Sequence, residues 1–90
     1  MAKEIVLFKS EERKDLQSVS AFLNRLADRL AHNQVILRRG VEELALDIPN
    51  NVVLEIKVEE EDKKGKTKRT LEIEIEWIDG DDSGGAVTLG

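Results

Sequence analysis

Three acidic residues near the C-terminal end are the side chains whose type and spacing first suggest chemistry. Glu72, Glu74 and Glu76 alternate with apolar residues, so in a strand their carboxylates lie on one face about 7 Å apart. Such a row is compatible with metal binding or acid–base work. It is equally typical of the solvated outer face of an antiparallel sheet, with Lys57 as a counter-charge. The solvated face is the preferred interpretation, and an acidic docking surface for a basic partner is the functional alternative.

The other groups capable of catalysis or metal binding are isolated. His32 is the one imidazole and there is no cysteine, which excludes thiolate metal sites and a cysteine nucleophile. A lone histidine lacks the nucleophile and orienting partner that a general base requires. Residues 79–84 resemble the opening of a calcium loop, but the twelfth position is Gly90 instead of glutamate. The sequence therefore predicts a non-enzymatic protein without catalytic residue, cofactor or metal.

The charge of the chain is unevenly distributed. Residues 1–40 hold eight Lys/Arg and five Asp/Glu, whereas residues 41–90 hold six and fourteen, for a net charge of −5. The acidic second part disfavours contact with phosphates, so a nucleic-acid surface would have to lie in the first part. Its basic residues form a candidate patch made of Lys9, Arg25, Arg29, Arg38 and Arg39. A nucleic-acid-associated protein is therefore the alternative function.

These residues are positioned by six predicted elements. Lys3–Lys9 predicts a strand that is apolar on both faces, with Ile5 and Leu7 opposite Val6 and Phe8. After Ser10 as N-cap, apolar residues at spacings of three and four predict an amphipathic helix of about 22 residues. Four further strands are predicted at Gln34–Arg39, Val41–Ile48, Val52–Glu60 and Leu71–Ile78.

The element order predicts an α+β fold, β-α-β-β-β-β, in which one long helix packs on a mainly antiparallel sheet. The charged segment Glu61–Arg69, with Gly65 at its tip, is predicted to be a hairpin loop. Pairing of the first strand stays open: it lies either parallel to Gln34–Arg39 or antiparallel to Leu71–Ile78. Residues 1–78 are predicted to form a single domain, and residues 79–90 a flexible acidic, glycine-rich tail.

Two predicted strands carry more apolar surface than one helix can cover. Their residues, Ile5, Val6, Leu7, Phe8, Val35, Ile36 and Leu37, form a candidate protein-interaction surface. A second copy or a larger protein would cover this surface. The sequence therefore predicts an interaction module or accessory subunit whose partner is another protein or a second copy of the chain in a homo-oligomer. It predicts no association with a membrane. Trp77 continues the apolar phase of the last strand and is expected to anchor the core.

The last strand also carries a family resemblance. LEIEIEW at Leu71–Trp77, together with IVLF at Ile5–Phe8, LNRLADRLAHN at Leu23–Asn33, RRG at Arg38–Gly40 and DIPNNVVLEIKVE at Asp47–Glu59, resembles the amphi-Trp domain family. The resemblance covers about residues 3–78 and implies a small prokaryotic domain. It implies no activity and carries over no catalytic residue. No segment has the pattern of a signal peptide or of a membrane span, so a cytoplasmic location is expected.

Overall fold

The computed structural model describes residues 3–79, so nearly all of the predicted tail at 79–90 lies outside the described residues. The elements follow in the order helix α1 (Leu16–Leu30) and strands β1 (Gln34–Arg39), β2 (Glu42–Asp47), β3 (Val53–Lys63) and β4 (Lys66–Glu76). The α+β class is confirmed. The chain divides into two compact units, residues 1–48 and 49–90.

Helix α1 is shorter than predicted, with 15 residues instead of about 22. The sequence interpretation placed the N-cap at Ser10, but the structure places it at Asp15. There the Oδ1 atom of Asp15 accepts a hydrogen bond from the backbone N–H of Ser18 at 2.9 Å, which satisfies one of the free amides of the first turn. At the other end of the helix, Asn33 adopts the left-handed conformation, with φ 62°, and turns the chain into β1.

The predicted N-terminal strand is wrong, because residues 3–15 belong to no strand or helix. Ile5 and Val6 are each 75% exposed and Leu7 is 66% exposed. An apolar sequence does not by itself make a strand, since a strand needs a hydrogen-bonded neighbour. The order is therefore helix followed by four strands.

Strands β1 and β2 form an antiparallel pair in which Val35 lies opposite Leu46 and Leu37 opposite Leu44. Gly40 makes the turn possible, because its φ of 60° is a backbone conformation that residues with a side chain rarely adopt. Helix α1 packs on β1. The buried centre of this unit consists of Val35 and Ile48, which are 5% and 8% exposed, and it is closed by two hydrogen bonds of 2.8 Å between Asn33 and Ile48.

Strands β3 and β4 form a long hairpin whose turn lies at Lys64 and Gly65, both with positive φ. The predicted hairpin with Gly65 at its tip is confirmed, but the rest of the segment Glu61–Arg69, predicted as a loop, continues both strands. The register explains the difference, since it places Glu61 opposite Lys68 and Glu60 opposite Arg69, and such opposite charges stabilise a strand pair. The predicted single sheet is also wrong: the strands form two sheets of two, β1–β2 and β3–β4.

Candidate functional site

The first unit carries an open groove with a volume of about 650 Å³. Three segments surround it: the stretch before the helix, one face of α1 and four consecutive residues of β1. Its lining comprises Phe8, Ser10, Glu12, Lys14, Ser18, Val19, Ala21, Phe22, Arg25, Ile36, Leu37, Arg38 and Arg39. We refer to this feature as the groove.

The late start of the helix creates one wall of the groove. Because Asp15 caps α1, the preceding residues are not helical. Ser10, Glu12 and Lys14 contribute to the lining at every second position, the spacing of an extended chain. The helix contributes Val19, Phe22 and Arg25 at spacings of three, as one helix face does.

Strand β1 contributes Ile36 to Arg39 without a gap. Side chains of successive strand residues point to opposite faces, so a run of neighbouring residues lines a groove only where the groove reaches the edge of the strand. Among the described residues, β1 pairs with β2 alone. Its other edge therefore presents backbone N–H and C=O groups that have no strand partner, which is the usual acceptor of an added strand.

The apolar part of the groove is open to solvent. Val19, Phe22 and Ile36 are 37%, 48% and 42% exposed, and Phe8 and Leu37 are half-buried. Burying apolar area stabilises a contact by about 25 cal/mol per Å². A partner that covers the apolar part of the groove is thus stabilised there by burial of these side chains.

The polar part of the groove is basic. Four of its lining residues, Lys14, Arg25, Arg38 and Arg39, are cations and one, Glu12, is an anion. In the described residues Lys14 lies 3.5 Å from Glu12, whereas Arg25 forms no ion pair.

Arg38 and Arg39 are held by the neighbouring strand. The Nε atom of Arg38 lies 2.6 Å from Oε2 of Glu43, and Nη2 of Arg39 lies 3.0 Å from Oε1 of Glu42. Each pair joins residues that are opposite each other in the β1–β2 register. These pairs fix the direction of both guanidinium groups and offset part of their charge.

Arg39 also ties down the segment before the helix. Its Nη1 atom donates a hydrogen bond to the carbonyl oxygen of Lys9 at 2.6 Å. Its guanidinium lies 5.6 Å from the centre of the Phe8 ring, within the range of a cation–π contact. Arg39 therefore supports one end of the groove and is a structural residue as much as a surface cation.

The groove brings together residues from both predicted surfaces. From the candidate interaction set it contains Phe8, Ile36 and Leu37, and from the candidate basic patch it contains Arg25, Arg38 and Arg39. Outside the lining are Ile5, Val6, Leu7, Lys9 and Arg29. Val35 does not belong to an exposed surface, because it is the most buried residue of the described chain.

Several groove residues were not predicted to be functional. Val19 belongs to the apolar stripe that the spacing predicts for the helix, Phe22 flanks that stripe, and Ser18 and Ala21 are their neighbours in the lining. Their role depends on where α1 begins. Asp15, three residues before Ser18, was the available signal, because aspartate is a strong N-cap and its side chain reaches the third residue after it.

The hairpin of β3 and β4 carries the row of glutamates predicted from the sequence. Glu74 lies opposite Glu55 and Glu72 opposite Lys57. The pKa of Glu74 is raised by the hydrogen bond that protonated Glu74 donates to the Glu55 carboxylate and by the repulsion between the two carboxylates. The Lys57 ammonium lies 3.3 Å from Glu72, and this contact raises the pKa of Lys57. Within the row, the Glu72 carboxylate is thus paired with a cation, whereas the Glu74 carboxylate lies opposite another carboxylate.

The opposite face of the hairpin is apolar. Leu54 pairs with Ile75, Ile56 with Ile73 and Val58 with Leu71. Leu54, Ile56, Val58, Leu71 and Ile73 are between 53% and 69% exposed. The stripe ends at the Glu60–Arg69 ion pair, where Nε and Oε1 are 3.0 Å apart. The hairpin is therefore amphipathic along its length.

Trp77 follows directly after β4 and is half-buried. Its indole N–H donates a hydrogen bond to Oδ1 of Asp79 at 3.1 Å, which gives the partly buried indole the acceptor that it needs. Within residues 3–79 there is no cluster of three or more His, Cys, Asp or Glu that could hold a metal ion. Over the same residues, no helix is long and apolar enough to cross a membrane.

Comparison with known proteins gives one match. The whole chain, residues 1–90, matches the family described as the Amphi-Trp domain. The chain belongs to the Amphi-Trp domain family. No curated protein and no solved structure matches it.

The segments that carry the resemblance have definite places in this Amphi-Trp domain. LEIEIEW comprises the end of β4 and Trp77, RRG is the end of β1 and its turn, and LNRLADRLAHN is the second half of α1 with the turn that follows. The amphipathic strand is thus half of a two-stranded hairpin. IVLF, which the sequence assigned to a first strand, lies in the stretch before the helix.

Proposed function

We propose that this Amphi-Trp domain is a non-enzymatic protein-interaction module, a small accessory subunit of the cytoplasm that holds a protein partner in the groove. The observation that supports it best is the combination of open apolar side chains and fixed arginines in the groove. Phe22 and Ile36 are nearly half exposed, and Arg38 and Arg39 are oriented by Glu43 and Glu42. Such a surface fits a segment that is apolar and acidic.

The chemistry of the remaining side chains also favours binding over catalysis. His32 is the single imidazole of the chain, and its Nδ1 atom lies 2.9 Å from the carbonyl oxygen of Asp28 at the end of α1. The ring is engaged by the backbone of its own helix. Among the described residues no hydrogen bond or ion pair joins the ring to a carboxylate that would orient it or to a hydroxyl that it could activate.

Binding of nucleic acid is the weaker candidate. Glu43 and Glu42 lie 2.6 and 3.0 Å from Arg38 and Arg39 and offset part of their positive charge, which weakens the attraction of a row of phosphates more than that of one acidic side chain in an otherwise apolar contact. A nucleic-acid surface needs several cations that neutralise phosphates and displace their counter-ions. In the described chain the groove offers Arg25 without a carboxylate partner, which is too few for strong binding.

The proposal is tested by recovering the tagged protein from its native host, with nuclease treatment, and comparing two variants. Phe22→Asp places a charge in the apolar part of the groove. Val41→Asp makes the same kind of change at a fully exposed turn residue outside the groove. Circular dichroism verifies that both variants keep the helix.

We expect one stoichiometric protein partner, or a second copy, that survives nuclease, is lost with Phe22→Asp and is retained with Val41→Asp. Equal recovery with both variants would reject the groove as the binding surface. Loss of all recovered proteins after nuclease treatment would instead support the nucleic-acid candidate.

A further inference from the structure

Each of the four strands has a free edge. Within the described residues β1 pairs with β2 alone and β3 pairs with β4 alone. Each therefore has one side on which backbone N–H and C=O groups lack a strand partner. Such edges are templates for pairing with another strand, and proteins ordinarily cover or block them. The edge of β1 lies in the groove.

The side chains of β1 define what kind of strand fits beside it. On one face Val35 is buried and Leu37 half-buried, whereas Ile36 and Arg38 on the other face are exposed. An added strand continues both faces, because side chains of neighbouring strands align across the sheet. It should present apolar side chains beside Leu37 and acidic side chains beside Arg38.

Strand β4 has this alternation. Leu71, Ile73 and Ile75 share one face, and Glu72, Glu74 and Glu76 share the other. Both sets gain from the contact. Leu71 and Ile73 are largely open to solvent, and Glu74 lies opposite another carboxylate, so an arginine beside it adds an attraction that offsets this repulsion.

We propose that β4 of a second copy of this chain occupies the groove and pairs with the free edge of β1. A two-fold axis repeats the contact, so each copy gives β4 to its partner and receives the partner's β4 on its own β1. The result is a dimer with two sheets of order β2-β1-β4-β3, each containing strands of both copies. This inference rests on the proposed function, for which it names the partner.

Charge reversal at one position on each side of the contact tests it. Arg38→Glu and Glu74→Lys each place like charges together, and we expect each to raise the dimer dissociation constant at least about tenfold. Glu74 is the middle residue of its row, so its effect depends least on the register. Arg29→Glu makes the same charge change on α1 outside the groove and should leave the dimer intact.

Mixing the two variants separates pairing between copies from pairing within one chain. In a dimer of Arg38→Glu with Glu74→Lys, one contact joins the two substituted side chains, whose charges are exchanged, and the other joins the unsubstituted Arg38 and Glu74. Both contacts are again attractive. We therefore expect light scattering to report about twice the 10.1 kDa chain mass for the unsubstituted protein and for the mixture, and a lower mass for each variant alone.

The unsubstituted protein provides a readout that does not depend on the folding of variants. Equal amounts of ¹⁴N- and ¹⁵N-labelled protein are mixed, treated with a carbodiimide, which joins amines directly to carboxylates, and digested for mass spectrometry. We expect peptides of mixed isotope that join Lys14 in the groove to a glutamate of β4. The proposal is overturned by a monomer, by a dimer insensitive to Arg38→Glu, by the absence of rescue on mixing, or by cross-links within single copies only. A monomer that still loses a host protein through Phe22→Asp would reject the second copy and keep the proposed function.

Discussion

The two units of the chain are built on the same motif, a pair of antiparallel strands, but they bury their apolar side chains to different extents. In the first unit Val35 and Ile48 are 5% and 8% exposed. In the hairpin, Ile56 and Val58 are 57% and 69% exposed. The first unit has a helix that packs on its strands, whereas the second unit has strands alone among its described elements.

The comparison shows that strand pairing and burial are separate requirements. The hairpin has the longer strands and the more extensive register, with eleven residues in each strand. Backbone hydrogen bonds and cross-strand ion pairs nevertheless leave its apolar face open. An isolated two-stranded hairpin is marginally stable in water, so the hairpin needs a covering surface more than the first unit does.

The largest difference between the two units is expected in the free energy of unfolding when one valine of each unit is replaced by alanine. Val35→Ala removes two buried methyl groups and should lower the free energy of unfolding by about 2 kcal/mol. Val58→Ala removes the same atoms from an exposed strand position and should lower it by about 0.5 kcal/mol or less. Urea denaturation followed by circular dichroism measures both, under conditions in which the protein is monomeric.

Repeating the pair of measurements at high protein concentration sharpens the comparison. If the hairpin face is covered on association, the cost of Val58→Ala should rise with concentration while that of Val35→Ala stays constant. A Val58→Ala cost equal to that of Val35→Ala even in dilute monomer would contradict the exposure of the hairpin face.

The sequence predicts part of each unit correctly. In the first unit strand β1 is predicted to the residue, because apolar residues precede a glycine that must have positive φ, but the N-terminal strand and the helix start are wrong. In the second unit Gly65 is predicted correctly as the tip of a hairpin, but the rest of the charged segment Glu61–Arg69 is mispredicted as a loop, since its composition is typical of loops and its stabilising pairs appear only when the register is known. Local patterns do not specify register, which depends on both strands and the turn.

The candidate site was predicted in parts. Phe8, Ile36 and Leu37 were selected as apolar surface and Arg25, Arg38 and Arg39 as basic surface, but as two alternatives. Their convergence depends on helix α1 beginning at Leu16, which frees the preceding segment to form a wall. The cap was predicted at Ser10, whereas in the structure it is Asp15, and both residue types cap helices well.

Removal of the helix cap should have the next largest effect, and it should be confined to the first unit. Asp15→Ala deprives the Ser18 N–H of its acceptor and should lower the melting temperature by roughly 5 °C. Ser10→Ala, a control at the other candidate cap, should leave it unchanged. An equal loss with both substitutions would contradict a helix that begins at Leu16. Hydrogen exchange resolved by residue should show faster exchange in α1 and no change in β3 and β4.

Acidification should produce the smallest effect, and it should have opposite signs in the two units. The hydrogen bonds from Ser18 lower the pKa of Asp15, so folding of the first unit is favoured above the unfolded pKa, near 3.8, and this contribution is lost as the pH falls through the lower folded value. The hydrogen bond that protonated Glu74 donates to Glu55 and the repulsion by the Glu55 carboxylate raise the pKa of Glu74. For Glu74 the stabilisation is complete below the unfolded pKa, near 4.5, and is lost as the pH rises through the folded value.

Hydrogen exchange at pH 7 and at mildly acidic pH, corrected for the intrinsic rate, tests this difference in sign. Between these conditions we expect protection of β3 and β4 to increase slightly as the pH approaches the unfolded pKa of Glu74. Protection of α1 should stay level until the pH falls below the unfolded pKa of Asp15.

Glu74→Gln should increase protection of the hairpin at pH 7 and abolish its pH dependence, because the amide cannot repel Glu55. If the dimer pairs Glu74 with Arg38, the repulsion is already relieved, and the effect of Glu74→Gln on the hairpin should be positive in dilute monomer and reversed in the dimer.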